Sequence, residues 1–443
     1  MKMLLFIRMK KSISILIFIL TLLFLPSIKG YSTYLYDLCY DYHPLKDGKI
    51  MFLRFKNSML DPVLRTLEIY IFNPENSKLA FVPRYGEKIY LKPVVSHDQT
   101  TICYHSLIEG RDFLVTKNVE KGKNIRLSFD TGGYFLKLAI AYDDDTVAAV
   151  IKRGPNKQAI YYISNSKGLL KRLLNGKKFE KIDFLSEGSI FYIDNVDSKR
   201  ISGYVDYQRQ NTVIDKNIEF ACPTPNGDSV VYVKNNRLIL YRVSNHEKIT
   251  ILDNFIPSTA KIRDSIRFSD DGTAMAIITN DAIRIVNIPS GDVFYYISID
   301  TQGSTFFMTN YSFYLSKDKK LFILMYKKPG QDMYKILESD EKICILGGNP
   351  SDKFLVYRKN NKKVIYIYDR LNKISLKRVF DFNIDSILYS ANGKLFYIIA
   401  ERVNKKDGVP IRELYLYDFE KELLYPVSTA KDNTLEPYKR EIR

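Results

Sequence analysis

The chain has 443 residues, 67 Lys and Arg against 50 Asp and Glu, a formal net charge of +17 and 46% hydrophobic residues. That is globular composition and excludes a disordered chain; 21 Gly, 16 Pro and 4 Cys also exclude collagen-like, low-complexity and disulfide-scaffold classes. The length allows two or three domains or one large all-β domain.

The first element in chain order is a targeting segment, residues 1–30. Lys2, Arg8, Lys10 and Lys11 form a basic start, residues 13–25 are an almost unbroken apolar run, Pro26 ends it, and Gly30 is small enough to precede a cleavage site. This order is that of a secretory signal peptide. The run falls short of the roughly 20 residues of a bilayer span. Ile28 is a poor residue three places before Gly30, so an uncleaved signal anchor is the rival reading. A retained anchor would keep the N-terminus in the cytoplasm and still leave the body outside. The body is therefore expected in the periplasm, the extracellular space or a secretory lumen, with membrane contact only through such an anchor. No later segment approaches 18 consecutive apolar residues.

Five cations lie in this segment, Lys29 being the fifth, which leaves the mature chain near +12 of the original +17. A basic surface can draw an anionic partner. The lysines are scattered, however, and the densest groups, 317–320 and 359–363, fall where turns are expected. A nucleic-acid partner is not expected.

The mature chain is organised as a repeat. Its cleanest copy runs Phe268-Ser269-Asp270-Asp271-Gly272-Thr273, an apolar stretch 274–278, the turn Thr279-Asn280-Asp281, a second stretch 283–288, and Pro289-Ser290-Gly291-Asp292. Asp-Gly supplies the positive-φ position of a tight turn, and the β-branched and aromatic stretches suit half-buried strands. Related turns fall near residues 48, 99, 145, 188, 227, 272, 319, 352 and 393, at intervals of 51, 46, 43, 39, 45, 47, 33 and 41. A period of about 40–50 with four short strands per unit is the mark of a β-propeller blade. No amphipathic helical pattern competes with it.

At Phe268–Gly291 the sequence resembles a blade of the WD-repeat and TolB-like β-propeller superfamily. There a "F-S-P-D-G" turn precedes one strand and "I-R-I-W-D" forms the next; the corresponding residues are Phe268-Ser269-Asp270-Asp271-Gly272 and Ile283-Arg284-Ile285-Val286-Asn287. Tyr368-Asp369 and Tyr417-Asp418 stand at the Trp-Asp position, although the chain has no Trp and no Gly-His opening its units. The resemblance implies an all-β fold, a single β-propeller over residues 31–427, and no particular activity. Nine turns exceed the usual blade count, so seven or eight four-stranded blades are expected, with two smaller propellers as the rival and 428–443 as a polar tail. Closure is expected from residues 31–36, a β-prone segment, pairing beside Leu414-Tyr415-Leu416-Tyr417.

Chemistry-bearing motifs are sparse. Cys39, Cys103, Cys222 and Cys344 lack a C-x-x-C pair, which disfavours zinc; two disulfides or reduced core thiols both remain open. His43, His97, His105 and His246 are scattered, though His97 and His105 could meet on one hairpin. Phe129-Asp130-Thr131-Gly132-Gly133 matches the hydrophobic-D-T-G loop of aspartic proteases, but no second copy exists, and a strand ending in a Gly-Gly turn accounts for it. Asp143-Asp144-Asp145 lacks calcium-loop spacing and reads as an acidic turn. Nucleophile-elbow and phosphate-loop motifs are absent. Asn310-Tyr311-Ser312 is a lone glycosylation sequon.

Two function classes follow. The first is an exported, non-catalytic propeller that binds a protein or glycan partner, acidic if the net charge guides it, through its blade loops. The second is an enzyme centred on the channel, with no catalytic residue, metal ligand or cofactor assigned. The oversized loops 54–65 and 402–412 are candidate binding surfaces, the second through Lys405, Lys406 and Arg412.

Overall fold

The computed structural model describes residues 39–427 apart from 57–65, 77, 85, 130–132, 144, 156, 259–261, 329, 350, 390–394, 404–409 and 420. Among the described residues the chain forms nine four-stranded antiparallel sheets, each a simple meander of consecutive strands. In chain order they are blade 1 (β1–β4, residues 39–81), blade 2 (β5–β8, 94–128) and blade 3 (β9–β12, 134–176). Blades 4 to 6 are β13–β16 (179–216), β17–β20 (220–252) and β21–β24 (266–298). Blades 7 to 9 are β25–β28 (305–338), β29–β32 (344–379) and β33–β36 (383–426). Helix among the described residues is confined to the single 3-10 turns Lys46–Gly48 and Ile262–Ser265.

The turn from first to second strand shows how the sequence sets this pattern. In blade 6, Ser269 N–H bonds to Ala274 O (3.0 Å) and Gly272 N–H returns to Ser269 O (2.9 Å). Ser269 Oγ donates to Asp271 Oδ1 (2.6 Å), which also accepts from Thr273 N–H (3.1 Å). The small hydroxylated residue, the carboxylate two places on and the positive-φ residue after it thus satisfy one another's polar groups before the strand begins. The same box is built on Ser96, Asp98 and Gln99 in blade 2 and on Thr224, Asn226 and Gly227 in blade 5. Asn349, Ser351 and Asp352 fill it in blade 8, where Asp352 takes φ 62°.

The core is a series of wedges between sheets. Nine hydrophobic clusters each join one blade to the next: Leu53 and Ile69 with Tyr104 across blades 1 and 2, Phe184 with Val150 across 3 and 4, Met275 with Val231 across 5 and 6. The series ends on a cluster in which Phe52 and Phe72 of blade 1 meet Tyr397, Ile399 and Leu416 of blade 9. Nine consecutive wedges, the last joining the ends, make one closed ring. First strands of successive blades contact one another around part of the axis, β5 with β9, β9 with β13, and β21, β25, β29 and β33 in series, whereas the fourth strands alternate exposed and half-buried residues at the rim.

Several expectations are corrected by this arrangement. The ring has nine blades rather than seven or eight, and it is not split into two. Eight of the nine sequence turns lie between first and second strands, but Lys319 lies between second and third, β26 (Phe313–Lys317) and β27 (Lys320–Leu324). The true counterpart in blade 7 is Thr309–Ser312, which has no Gly; there Thr309 Oγ1 accepts the N–H groups of Tyr311 (3.2 Å) and Ser312 (2.9 Å) and shapes the turn instead. The 33-residue interval before 352 came from that displacement.

Closure also differs from expectation. Leu414–Tyr417 lie in β35 (Pro410–Asp418), which is paired on both edges, by β34 (Leu395–Val403) and β36 (Leu423–Pro426). No edge is left there for residues 31–36, which lie outside the described residues. The ring closes face to face: Tyr397 donates to Gly48 O (2.5 Å) and meets Phe72 edge-on at 6.4 Å. Cys103, Cys222 and Cys344 are free thiols on blades 2, 5 and 8, a third of the ring apart, so no disulfide joins them. The segments 1–30 and 428–443 are not described, and no described helix is long and apolar enough to cross a membrane.

Candidate functional site

A four-stranded meander puts its first turn and third turn at one end and its middle turn and crossing segment at the other. At the first end, turns of different blades are joined, neighbour to neighbour and, through Tyr142 and Pro225, from blade 3 to blade 5. Lys46 N–H bonds to Gln99 O (3.1 Å), His97 stacks on Tyr142 (3.9 Å), and Ser186 N–H bonds to Gly227 O (3.2 Å). Tyr142 OH donates to Pro225 O (2.9 Å), Asp271 N–H to Asn310 Oδ1 (2.9 Å), and Ser312 Oγ and Tyr314 OH to the buried Asp352 (2.6 Å each). Arg370 also pairs with Asp352.

At the other end the crossing segments are tied mainly to the middle turn of the blade they leave. Phe255 N–H bonds to Asn236 O (2.5 Å), Thr301 N–H to Asn280 O (2.9 Å) and Ser339 N–H to Lys319 O (2.9 Å). After blade 2 this latch is slack, Phe129 N–H reaching Asp112 O at 3.4 Å. There the surface opens into a cleft of about 680 Å³ between blades 2 and 3. Tyr90 and Leu91 come from the crossing out of blade 1, His105, Leu107, Gly110 and Asp112 from the β6–β7 hairpin, and Gly133, Tyr134 and Phe135 from the start of blade 3. Clefts of about 360 and 240 Å³ lie at the opposite end, between blades 6 and 7 and around blades 4 to 6.

The centre of the large cleft is a His–Asp pair. In β6 (Thr101–Ile108) and β7 (Arg111–Asn118), Leu107 faces Asp112, so His105 and Asp112 are diagonal neighbours on one face. His105 Nε2 is 2.7 Å from Asp112 Oδ1, and its ring stacks on Phe135 at 4.5 Å. Burial holds the His105 imidazole below its usual range, outweighing the upward pull of the Asp112 carboxylate. A neutral imidazole then donates through Nε2–H to the Asp112 carboxyl group. Tyr134 is 78% exposed at the rim and Tyr90 is also exposed. Among the described residues that line the cleft, none is Lys or Arg.

The residues singled out in the sequence fall elsewhere. Lys405 and Lys406 lie outside the described residues, as do most of loop 54–65 and Asp130-Thr131-Gly132. Arg412 is exposed on β35, with its guanidinium 3.5 Å from Asp385 Oδ2, so part of its charge is matched within its own blade. His97 and His105 sit at opposite ends of blade 2 and do not meet. Asp143 accepts from Thr146 N–H (2.9 Å) and Oγ1 (2.8 Å), and Asp145 from Ser166 N–H (2.7 Å), as an acidic turn does. Near the axis, Lys181 Nζ lies 3.4 Å from Cys222 Sγ and 3.9 Å from Asp183. No group of three or more His, Cys, Asp or Glu among the described residues converges as a metal cluster.

No protein-family model matches this sequence, and no curated protein matches it. Solved structures resemble it in fold. The chain is similar to TolB from Acinetobacter baumannii, at 13% identity and a TM-score of 0.34 over 54% of this chain and 62% of that one. It is similar to oligogalacturonate lyase from Vibrio parahaemolyticus, at 14% identity and a TM-score of 0.43 over 75% of this chain and 91% of that one. The chain thus spans less than two thirds of the TolB chain, and both likenesses concern the β-propeller fold alone.

Proposed function

We propose that the chain is an exported, non-catalytic binding propeller that holds its ligand in the cleft between blades 2 and 3. The supporting observation is the cleft itself: 680 Å³, rimmed by an exposed tyrosine, floored by a stacked His–Phe pair and carrying one carboxyl side chain, Asp112. Its size is that of a small-ligand site, apolar walls with a few placed polar groups. That chemistry suits a sugar ring, whose C–H face covers Tyr134 or Tyr90 while a hydroxyl or amino group donates to Asp112. The mature chain's charge of about +12 favours an acidic partner, but the cleft's own lining favours a neutral or basic glycan. Export rests on the order of residues 1–30.

A glycan array probed with the native chain and with Tyr134→Ala and Asp112→Asn tests this. Binding to a neutral or amino-sugar glycan, reduced roughly tenfold by either substitution, is expected. Binding that survives both would place recognition elsewhere. The His105–Asp112 pair supports a second reading, a neutral imidazole oriented by a carboxylate as a general base. Turnover of the bound glycan that is lost in His105→Gln would favour it.

A further inference from the structure

Two tyrosines of neighbouring blades converge on one histidine at the seam between blades 4 and 5. Tyr204 lies in β15 (Lys199–Val205), Tyr241 in β19 (Arg237–Arg242), and His246 in the turn that follows β19. Tyr204 OH is 3.0 Å and Tyr241 OH 2.8 Å from the same atom, His246 Nδ1. The three ring centroids stand 6.3 to 6.4 Å from one another, so the side chains meet at their polar tips. An imidazole nitrogen carries either one lone pair or one hydrogen, so Nδ1 cannot satisfy two hydroxyls at once. A simple hydrogen-bonded latch needs one tyrosine, and the second is left over. Both tyrosines are buried, whereas His246 is exposed and opens the cluster to solvent. His246 also holds φ 60°, a turn conformation that glycine would adopt with less strain.

We propose that Tyr204, Tyr241 and His246 form a binding site for a ferric ion. In an octahedral shell with bonds of roughly 2.0–2.1 Å, adjacent donor atoms stand about 2.8–3.0 Å apart. The two distances to Nδ1 are those of two such edges. A phenol ligates as phenolate, so each tyrosine gives its proton to solvent and two negative charges face the ion. One imidazole with two hard anionic oxygens suits iron, whereas Ca2+ and Mg2+ take shells of oxygen alone. Two phenolates also match a trivalent charge better than a divalent one. The Glu187 carboxylate, close enough to act on Tyr241 by charge, adds a third negative group. The neighbouring cations are already matched, Arg242 by Glu247 at 2.6 Å and Lys248 by Asp215 at 3.3 Å. Three protein donors leave half of the shell to water or to Glu187. A bound ion would join the third strands of blades 4 and 5, away from the cleft between blades 2 and 3.

Titration with ferric nitrilotriacetate, followed by visible absorption, tests this on the native chain, on Tyr204→Phe, on Tyr241→Phe and on the double variant. Thermal melts show that each variant is folded. A phenolate-to-iron charge-transfer band that saturates at one equivalent is expected, weaker in each single variant and absent from the double one. His246→Gln should weaken binding roughly tenfold or more. Iron should raise the Tm of the native chain and leave that of the double variant unchanged. No band, or a band that the double variant keeps, would overturn the proposal, the second by placing the iron on other tyrosines. So would a native chain that binds Zn2+ or Cu2+ but no ferric ion. A native chain that takes up no iron, beside a double variant that melts earlier, would leave a hydrogen-bonded latch in its place.

Discussion

The two ends of the ring do different work with the same strands. At one end the first turns of neighbouring blades bond to each other, through Gly227 to Ser186, Asn310 to Asp271 and Asp352 to Ser312. At the other, crossing segments latch mainly to their own blade, and the slack latch after blade 2 lies beside a cleft of about 680 Å³. The densest blade-to-blade bonding and this 680 Å³ cleft therefore lie at opposite ends of the axis, with clefts of about 360 and 240 Å³ at the bonded end. Loops that join blades cannot be varied without cost to the ring, whereas loops that fold back on their own blade can.

The sharpest way to break that contrast is at the seam between the last blade and the first. Tyr397 is fully buried, packed on Phe72 and bonded to Gly48 O. Tyr397→Ala should cost about 3–5 kcal/mol in a denaturant titration. Tyr397→Phe, which loses only the hydroxyl's bond, should cost about 1–2 kcal/mol. Equal losses from the two would mean that the ring packing contributes little to closure.

A smaller loss is expected within the joined turns. A Cβ on Gly272, at φ +67°, would lie 2.8 Å from the backbone nitrogen of Asn226 in the neighbouring turn. Gly272→Ala should cost about 1–3 kcal/mol. At the opposite end Tyr134→Ala should shift stability by no more than about 0.5 kcal/mol, because the side chain is exposed, while removing ligand binding.

The smallest effect is a pH dependence. The folded state holds the His105 imidazole below its ordinary value of 6.5, so it binds this proton less readily than the unfolded chain. The stability this gives is complete above pH 6.5 and is lost as pH falls through the lower, folded value. His105→Gln should flatten that acid-side loss in melts taken across the range. An unchanged slope would mean that another group titrates there.

The repeat was legible because its turns are made by local chemistry. Ser269, Asp271 and Gly272 bond to one another within five residues, so residue types alone reveal the box. The register failed at blade 7, where Thr309 replaces glycine geometry with side-chain bonds and no Asp-Gly marks the turn. The nine turns pointed to nine blades, and discounting them for an ordinary blade number led to the lower expectation. Half of the site was also within reach: His105 and Asp112 flank the Glu109-Gly110 turn at positions that a hairpin brings together. The other half was not, because Tyr90 and Phe135 reach the cleft only once blades 1, 2 and 3 pack. No spacing along the chain encodes that meeting.

Hydrogen exchange resolved to single amides tests the division of labour between the two ends most directly. The amides of Gly227, Gly272 and Asp352 should exchange only on opening of the ring, at rates near those of the core strands, and that of Gly110 orders of magnitude faster. Comparable, rapid exchange at both ends would contradict it.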